Sequence, residues 1–133
     1  MAAIIDKIAL LYLQDGSILS TLSKGKDKYY IPGGKREGNE TDLQTLTREI
    51  KEELSVDILP ETVSYYGTFE AQAHGHAEGI IVRMTCYTAG FTGVPAPDNE
   101  IEKIVWLTTA DSEDISPVDK IIFADLKKKG LLL

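Results

Sequence analysis

The sequence predicts a mixed α/β fold in which short strands combine with two helices. Segments rich in β-branched and aromatic residues alternate with turn residues along most of the chain. Residues 42–54 and 118–129 instead carry apolar residues at helical spacing. No internal repeat, low-complexity tract or linker interrupts the 133 residues. We therefore expect one domain that spans residues 1–133.

The first strand signals lead to a glycine-rich turn. Residues 4–13 and 18–22 are rich in β-forming residues and are joined by the turn signal Gln-Asp-Gly-Ser, which predicts a hairpin. A short strand at residues 29–31 follows a lysine-rich loop and stops at Pro32-Gly33-Gly34. The two glycines remove side chains at a point where a phosphate can approach the backbone.

The second half of the chain holds the remaining strand signals. Residues 63–70 and 79–91 predict two longer strands joined by a polar connection, and residues 101–107 predict one more. Residues 93–99 are rich in turn formers and predict a loop. Cys86 lies within the second long strand, so we expect a buried structural thiol rather than a nucleophile.

Composition and charge argue against several classes of partner. The net charge of −7 disfavours sequence-independent binding of DNA or RNA, because such binding depends on Lys and Arg that neutralise phosphates. No apolar run reaches the roughly 20 residues that span a bilayer, and the N-terminus lacks a signal-peptide pattern. We therefore expect a cytoplasmic protein without nucleic-acid or membrane partners. An anionic small substrate is compatible with this charge if metal ions supply positive charge locally.

The helix predicted at residues 42–54 has a recognisable start and one apolar face. Thr41 and Gln44 have the spacing of a capping box, in which each side chain bonds the backbone of the other residue. At about 100° per residue, four apolar side chains fall within roughly 80° of the helical wheel. This predicted buried stripe consists of Leu43, Leu46, Ile50 and Leu54.

The same helix carries an acidic arc beside the apolar stripe. Glu49, Glu52 and Glu53 fall within roughly 100° of the wheel, so their carboxylates should converge on one patch. Lys51, the nearest helical cation besides Arg48, points to the opposite side. A solvated acidic face is one explanation. Bound Mg²⁺ is the favoured one, because this hard cation takes oxygen ligands and is commonly shared between carboxylates and substrate phosphates.

Residues 34–56 resemble the Nudix box, the signature of the Nudix hydrolase family. That box reads G-x5-E-x7-R-E-U-x-E-E-x-G-U, where U is a bulky aliphatic residue. Gly34, Glu40 and the run that begins at Arg48 match every specified position except Ser55, where the family has glycine. Serine in a left-handed conformation there would cost on the order of 1 kcal/mol, unless the helix ends differently.

The resemblance implies a fold and roles for the box residues. The fold would be the Nudix α/β/α sandwich, a mixed sheet between helices, with the box forming a loop-helix-loop. Glu49, Glu52 and Glu53 would be metal ligands, Arg48 would hold a glutamate in position, and Glu40 would support the site.

Two positions just outside the box helix extend this expected site. Gly33 and Gly34 would leave space for substrate phosphate. Gly34 is also expected to be part of the metal site. The segment that begins at Glu100 resembles the family's acidic segment before a late strand, and Glu100 would be a further metal ligand or base. An exposed glutamate at a strand start explains Glu100 equally well.

The activity implied by the resemblance is Mg²⁺-dependent hydrolysis of the pyrophosphate in a nucleoside diphosphate linked to another group, with Mn²⁺ as a substitute. A glutamate would take a proton from the attacking water; Glu53 is favoured, with Glu52 and Glu100 as rivals.

The chain is most similar to the MutT-like branch, which converts nucleoside triphosphates, some of them oxidised, to monophosphate and pyrophosphate. The alternative substrates are ADP-ribose, nucleotide sugars and dinucleoside polyphosphates. A non-catalytic nucleotide sensor is the alternative to an enzyme, and either a monomer or a homodimer is expected.

Candidate substrate contacts outside the box are Lys24, Lys26, Lys28, Tyr29, Tyr30, Phe69, Ser116 and Asp119. The lysines either contact distal phosphates or remain solvated in their loop. The aromatic rings can stack on a base and the polar groups near the last helix can hydrogen-bond one, although each is equally at home in the core or in a helix cap. His74 and His76 are expected to be exposed loop residues, because no cysteine or third histidine completes a zinc site.

Overall fold

The structure, a computed structural model that describes residues 3–133, confirms the mixed α/β class. The strands are β1 (Ile4–Leu10), β2 (Leu13–Gln14), β3 (Ser17–Ser23), β4 (Gly33–Lys35), β5 (Asp57–Ile58), β6 (Ser64–Gln72), β7 (Ile81–Thr88), β8 (Phe91–Thr92) and β9 (Ile101–Leu107). The helices are α1 (Asp42–Leu54) and α2 (Pro117–Lys128), with short 3₁₀ helices at Pro60–Thr62 and Thr109–Asp114. Within the described range, no helix is long and apolar enough to cross a membrane.

The central element is a mixed sheet with strand order β4-β1-β7-β6. β1 runs parallel to β7 and antiparallel to β4, and β6 runs antiparallel to β7. A second sheet has the order β2-β3-β9, and β5 pairs with β8. β1 is thus an interior strand with a partner on each side.

The two helices cover opposite faces of the mixed sheet. Successive side chains of a strand point to opposite faces, and Ile8 and Leu10 accordingly join the cluster around α1, whereas Ala9 joins the cluster around α2. The apolar residues that the helices contribute are Leu46, Ile50 and Leu54 from α1 and Val118, Ile122, Phe123 and Leu126 from α2. The sheet between helices that the resemblance implies is therefore present.

The prediction that residues 4–13 and 18–22 pair as a hairpin is wrong, except for the residues next to the turn. Only β2 pairs with the start of β3, whereas β1 pairs with β4 and β7, and β3 continues beside β9. The end of β1 is an apolar run buried on both faces of the sheet, so its backbone N–H and C=O groups need a partner strand at each edge. A local hairpin cannot provide both partners.

Several other predicted boundaries shift while the elements remain. The strand at 79–91 is interrupted at Gly90, whose N–H donates to the Thr62 hydroxyl, and the segment 29–31 forms only isolated bridges. Leu43 is 39% exposed, so its place in the buried stripe is wrong; it lies in the first turn of α1. Cys86 is buried as expected, and burial raises the pKa of its thiol to about 12. A buried thiol with that pKa is a poor nucleophile.

The first turn of α1 is capped as the sequence predicts. The Thr41 hydroxyl accepts from Gln44 N–H at 3.2 Å, and the Gln44 side chain accepts from Thr41 N–H at 2.9 Å. These two bonds satisfy two of the backbone groups that a helix start leaves free. The start of the helix is therefore determined by local sequence.

The end of α1 is held by the loop before β9. Ser55 adopts the left-handed conformation with φ of 60°, and its hydroxyl donates to Asp98 Oδ2 at 3.0 Å. The carbonyls of Glu52 and Glu53 accept from the Asn99 side chain at 2.9 Å and from Asp98 N–H at 3.2 Å. The loop thus satisfies carbonyls that a helix end leaves free, and Ser55 adds a bond that glycine cannot make.

Asp119, in the first turn of α2, joins that helix to the segment after β3. Its side chain is fully buried and accepts from Ile31 N–H at 2.9 Å. Burial raises the pKa of the Asp119 carboxyl from its ordinary 3.8 to about 7, while the bond from Ile31, the charge of Lys7 and the nearby Ser116 hydroxyl act in the opposite direction. The charged form is therefore disfavoured inside the protein.

We expect Ser55→Ala to destabilise the protein by about 1 kcal/mol, because it removes a hydrogen bond and keeps the left-handed backbone. Ser55→Gly should leave stability nearly unchanged, since relief of backbone strain offsets the lost bond. Urea unfolding measures both changes, and in an Asp98→Ala background the cost of Ser55→Ala should shrink toward zero. Equal costs for the alanine and glycine variants would contradict this account.

The raised pKa of Asp119 makes stability depend on pH. A carboxyl whose pKa is higher in the folded state contributes its full stability below about pH 4 and loses it as the pH rises through about 7. Asp119→Asn keeps an acceptor for Ile31 and removes the titration. The wild-type free energy of unfolding should therefore fall relative to that of the variant between pH 4 and pH 8. Parallel stability curves would show that burial of this carboxylate has no such effect.

Candidate functional site

A cavity of about 500 Å³ is lined by residues from all four strands of the mixed sheet and from α1. Its lining includes the predicted site residues Lys24, Tyr30, Gly33, Gly34, Glu49, Glu53 and Glu100. The predicted residues Lys28, Glu40, Arg48, Glu52 and Asp119 do not form its wall. The sequence therefore identified the acidic side of the cavity and part of its remaining wall.

Glu53 is the most enclosed carboxylate of the cavity. Its side chain leaves α1 and accepts from Gly33 N–H at 3.0 Å, and only 7% of the residue is exposed. Burial raises the pKa of Glu53 to about 8, and the neighbouring charges of Glu49 and Glu100 raise it further, against the bond from Gly33 and the charge of Lys7. A nearby cation would reverse this penalty.

Glu49 lies one turn earlier on α1, against the glycine turn. A Cβ atom at Gly34 would stand 2.3 Å from the Glu49 Cδ atom, so any side chain at this position would displace the carboxylate. Burial raises the pKa of Glu49, the charges of Glu52 and Glu100 add to this effect, and its bond with Arg48 lowers it. Gly34 therefore belongs to the site as the space that Glu49 occupies.

Arg48 sits at the centre of an ion-pair network at the outer edge of the cavity. It bonds both Glu40 oxygens at 2.8 and 2.9 Å and Glu49 Oε1 at 2.8 Å, and a further bond reaches the Lys35 carbonyl at 3.0 Å. The Arg48 contact holds the pKa of Glu40 at about 2. Arg48 thus fixes the position of Glu49, which is the geometry that the resemblance implies.

Of the three glutamates of the acidic arc, Glu49 and Glu53 line the cavity and Glu52 does not, although Glu49 and Glu52 contact the same Arg48 nitrogen. The Glu52 side chain is 47% exposed and lies 3.5 Å from Arg48, on the outer side of the helix. The arc is also compensated, because Arg48 contacts both Glu49 and Glu52; Lys51 does point elsewhere and pairs with Asp57. Among residues 3–133, no three acidic, histidine or cysteine side chains are arranged as a ready-made metal site.

The donor set of the cavity nevertheless suits a hard divalent cation. Glu49 and Glu53 present carboxylate oxygens to the same space, Glu100 adds another, and rotation of the exposed Glu52 side chain would bring a fourth. Mg²⁺ and Mn²⁺ prefer oxygen ligands of this kind. Burial raises the pKa of both Glu49 and Glu53, so a cation bound between them would favour their charged forms. These residues fit a divalent metal.

Several expected substrate contacts lie elsewhere. Lys28 does not face the cavity, because its ammonium donates to the Glu113 carbonyl at 2.7 Å. Tyr29 and Phe69 pack against the core cluster around α2, and Asp119 lies behind the cavity wall, next to Ile31. These placements depend on contacts between segments distant in sequence.

Other cavity residues were not identified as such from the sequence. Lys7 and Lys35 supply cations from β1 and β4, and His74 and His76 line the cavity from the connection between β6 and β7. His74 is half-buried and lies 3.3 Å from Asp27, so its expected place in an exposed loop is wrong. The only sequence signal for a further cavity residue was Lys7, a lysine within an apolar strand. The residues around His74 and His76 gave no indication that these side chains line a cavity.

Comparisons with known proteins agree with this architecture. The model of the NUDIX domain matches residues 6–126. The MutT protein from Methanosarcina mazei Go1 superposes with a TM-score of 0.78 at 15% identity, covering 97% of this chain and 96% of that one. The E. coli ORF135 protein gives 0.71 at 24% identity, with 95% and 92% covered. The MutT NUDIX hydrolase from Burkholderia pseudomallei gives 0.71 at 21% identity, with 91% and 96% covered.

No curated protein sequence shows significant similarity to this chain. The structural similarities, all below 25% identity, establish the fold. The family match covers most of the chain and includes the whole glycine turn and α1. Because the match and the fold agree, the chain belongs to the NUDIX family and is a hydrolase that acts on pyrophosphate bonds.

Proposed function

We propose that this hydrolase is Mg²⁺-dependent, with Mn²⁺ as a substitute, and converts a nucleoside triphosphate to its monophosphate and pyrophosphate. The observation that carries the proposal is the buried Glu53 carboxylate, bonded to Gly33 and facing the same cavity as Glu49. Nudix hydrolases are generally dependent on divalent metals. When bound, the metal would offset charge that develops on the phosphate and lower the pKa of water.

The residues of α1 divide the work of holding metal and moving a proton. Glu49 and Glu53, with Glu52 after side-chain rotation and Glu100 from the loop before β9, would hold the metal. Glu53 is our preferred acceptor for the proton of the attacking water, because its carboxylate is enclosed and oriented by Gly33. Glu52 and Glu100 are the rival bases.

The support from Arg48 is indirect. Arg48 bonds Glu40 and Glu49 and so orients a ligand without entering the cavity. Glu40 also accepts from Glu37 N–H and from the Thr45 hydroxyl, which leaves it little freedom to bind metal itself. We therefore propose Glu40 and Arg48 as positioning residues.

The nucleotide would extend from the glycine turn toward α2. Lys24 at the cavity wall would contact phosphate, Gly33 and Gly34 would admit it, and Tyr30 would contact the base. Asp119, the other expected base contact, is fully buried behind the wall and is not proposed as a direct contact. Lys28 is not proposed as a contact, since it is bonded to Glu113.

Nucleoside triphosphates, including oxidised ones, are favoured because several similar structures bear the name MutT. A non-catalytic sensor is disfavoured, because every acidic residue of the box is in place. A single domain, a cytoplasmic location and a monomeric or homodimeric state stay predictions.

A substrate panel at fixed Mg²⁺ tests the proposed substrate. Canonical and 8-oxo nucleoside triphosphates should be hydrolysed faster than ADP-ribose, nucleotide sugars and dinucleoside polyphosphates, with release of pyrophosphate rather than phosphate. Chelation of the metal should stop the reaction. Activity on nucleotide sugars alone would contradict the triphosphate assignment.

Glu53→Gln should lower kcat by about 10²- to 10⁴-fold, because the amide neither accepts the proton nor binds metal well. Glu52→Gln should also lower turnover. Glu61→Gln, a substitution at an exposed site in the first 3₁₀ helix, is the matched control and should retain full activity. Full turnover by the Glu53 and Glu52 variants would refute metal-assisted hydrolysis at this site.

Gly34→Ala should weaken Mn²⁺ binding about tenfold, because the new methyl group displaces the Glu49 carboxylate. Stability should change little, since the atoms that must move are the end of a flexible side chain. Titration followed by electron paramagnetic resonance measures the affinity. Gly90→Ala, whose added methyl group meets only ordinary contacts, is the control; an equal loss in both variants would exclude this explanation.

A further inference from the structure

The Ser116 hydroxyl, at the α2 end of the cavity, is a polar group that the protein satisfies poorly. It lines the cavity and is buried without a hydrogen bond of good geometry in the described part of the chain, although it lies close enough to the Asp119 carboxyl behind the wall to lower the pKa of that group. Folded proteins satisfy nearly all buried polar groups. A hydroxyl in this position can accept a hydrogen bond from a ligand in the cavity.

Lys7 lies at this end of the cavity and also lacks a partner. It occupies a position of β1 between Ile5 and Ala9, two residues that pack with the cluster around α2. Within residues 3–133, no carboxylate lies within ion-pair distance of its ammonium, which is 5.7 Å from the centre of the Tyr30 ring. Lys7 is thus a half-buried cation that faces the cavity and is not neutralised by direct contact.

The position of Lys7 favours contact with the base rather than with a metal-bound phosphate. Burial lowers the pKa of Lys7, and the acid that most opposes this effect is Asp119 at the start of α2, ahead of the like charge of Lys35 and of the proposed metal ligands Glu53 and Glu49. Phosphate held by the metal would lie beside Glu49 and Glu53, whereas Lys7 lies toward α2. A base carbonyl carries no net charge and accepts a hydrogen bond from the ammonium.

We propose that Lys7 selects the base of the substrate by donating to a carbonyl oxygen. An ammonium has three donors and no acceptor, so it bonds a keto group and is mismatched with an amino group. The ring N–H next to such a carbonyl would find an acceptor in the Ser116 hydroxyl oxygen. The enzyme would then prefer hypoxanthine, guanine and uracil over adenine and cytosine. This assignment rests on the proposed triphosphate hydrolysis.

Two nucleotide pairs isolate this contact. ITP and ATP, like UTP and CTP, differ at the carbonyl or amino group and the adjacent ring nitrogen. The wild type should favour the keto member of each pair by about tenfold to a hundredfold in kcat/KM, the range for a hydrogen bond to a charged group. Lys7→Met, similar in length and without a donor, should bring both ratios close to one, mainly through KM.

Two further variants separate a selective role from other roles. Lys7→Gln keeps one donor and adds an acceptor, so it should restore only part of the preference. Lys24→Met should lower activity on all four nucleotides equally, because a phosphate contact does not distinguish bases. A uniform loss in Lys7→Met would assign Lys7 to phosphate and overturn the proposal, as would unchanged ratios.

Binding of α,β-methylene analogues, measured by calorimetry, distinguishes failure of this inference from failure of the proposed function. If the wild type hydrolyses none of the four nucleotides, the triphosphate assignment fails, yet the analogues still report the preference for keto bases. Equal affinity of the wild type for the analogues of ITP and ATP would overturn the role of Lys7. Thermal unfolding confirms that each variant is folded.

Discussion

The hydrogen bond from Gly33 N–H to Glu53 is the contact on which the site depends. It joins α1 to the turn that follows Ile31, at the point where β4 begins beside β1. Gly33 has φ of 146°, and a Cβ atom there would lie 2.1 Å from the Ile8 carbonyl, so the turn can approach β1 only as glycine. The same approach points the N–H at the carboxylate. The absence of a side chain at Gly33 therefore allows both the close packing of the turn against β1 and the orientation of the Glu53 carboxylate.

The electrostatics of the site follow from this enclosure. Glu53 and Glu49 are removed from water, yet the nearest arginine bonds only Glu49 and remains outside the cavity. The network around Arg48 stabilises the outer edge, and its strongest partner is Glu40. Both inner acids keep raised pKa values because burial outweighs the opposing contacts, which are the Gly33 N–H and the charge of Lys7 for Glu53 and the Arg48 contact for Glu49. The negative charges at the surface of α1 are thus neutralised by Arg48 more fully than those inside the cavity.

Features set by neighbouring residues could be predicted from the sequence, and those set by distant contacts could not. The bounds of α1, its capping box and the strand at 101–107 depend on local spacing, and all were predicted correctly. The pairing of β1 depends on partners more than 20 residues away, so the local hairpin signal was misleading. The same limit applies to His74 and to Lys7, whose surroundings come from other strands. The helical wheel placed Glu52 on the same arc as Glu49 and Glu53 but could not show that its side chain stays exposed outside the cavity.

The loop that follows Pro97 determines how Glu100 can respond to a ligand. On one side Asp98 and Asn99 are fastened to the last turn of α1, and on the other the Glu100 carbonyl accepts from Lys24 N–H at 2.7 Å. With its main chain tethered in both directions, this acid can adapt to a metal or a phosphate only by rotating its side chain. The separation between Glu100 and Glu53 is therefore set by the hydrogen bonds that join this loop to the last turn of α1.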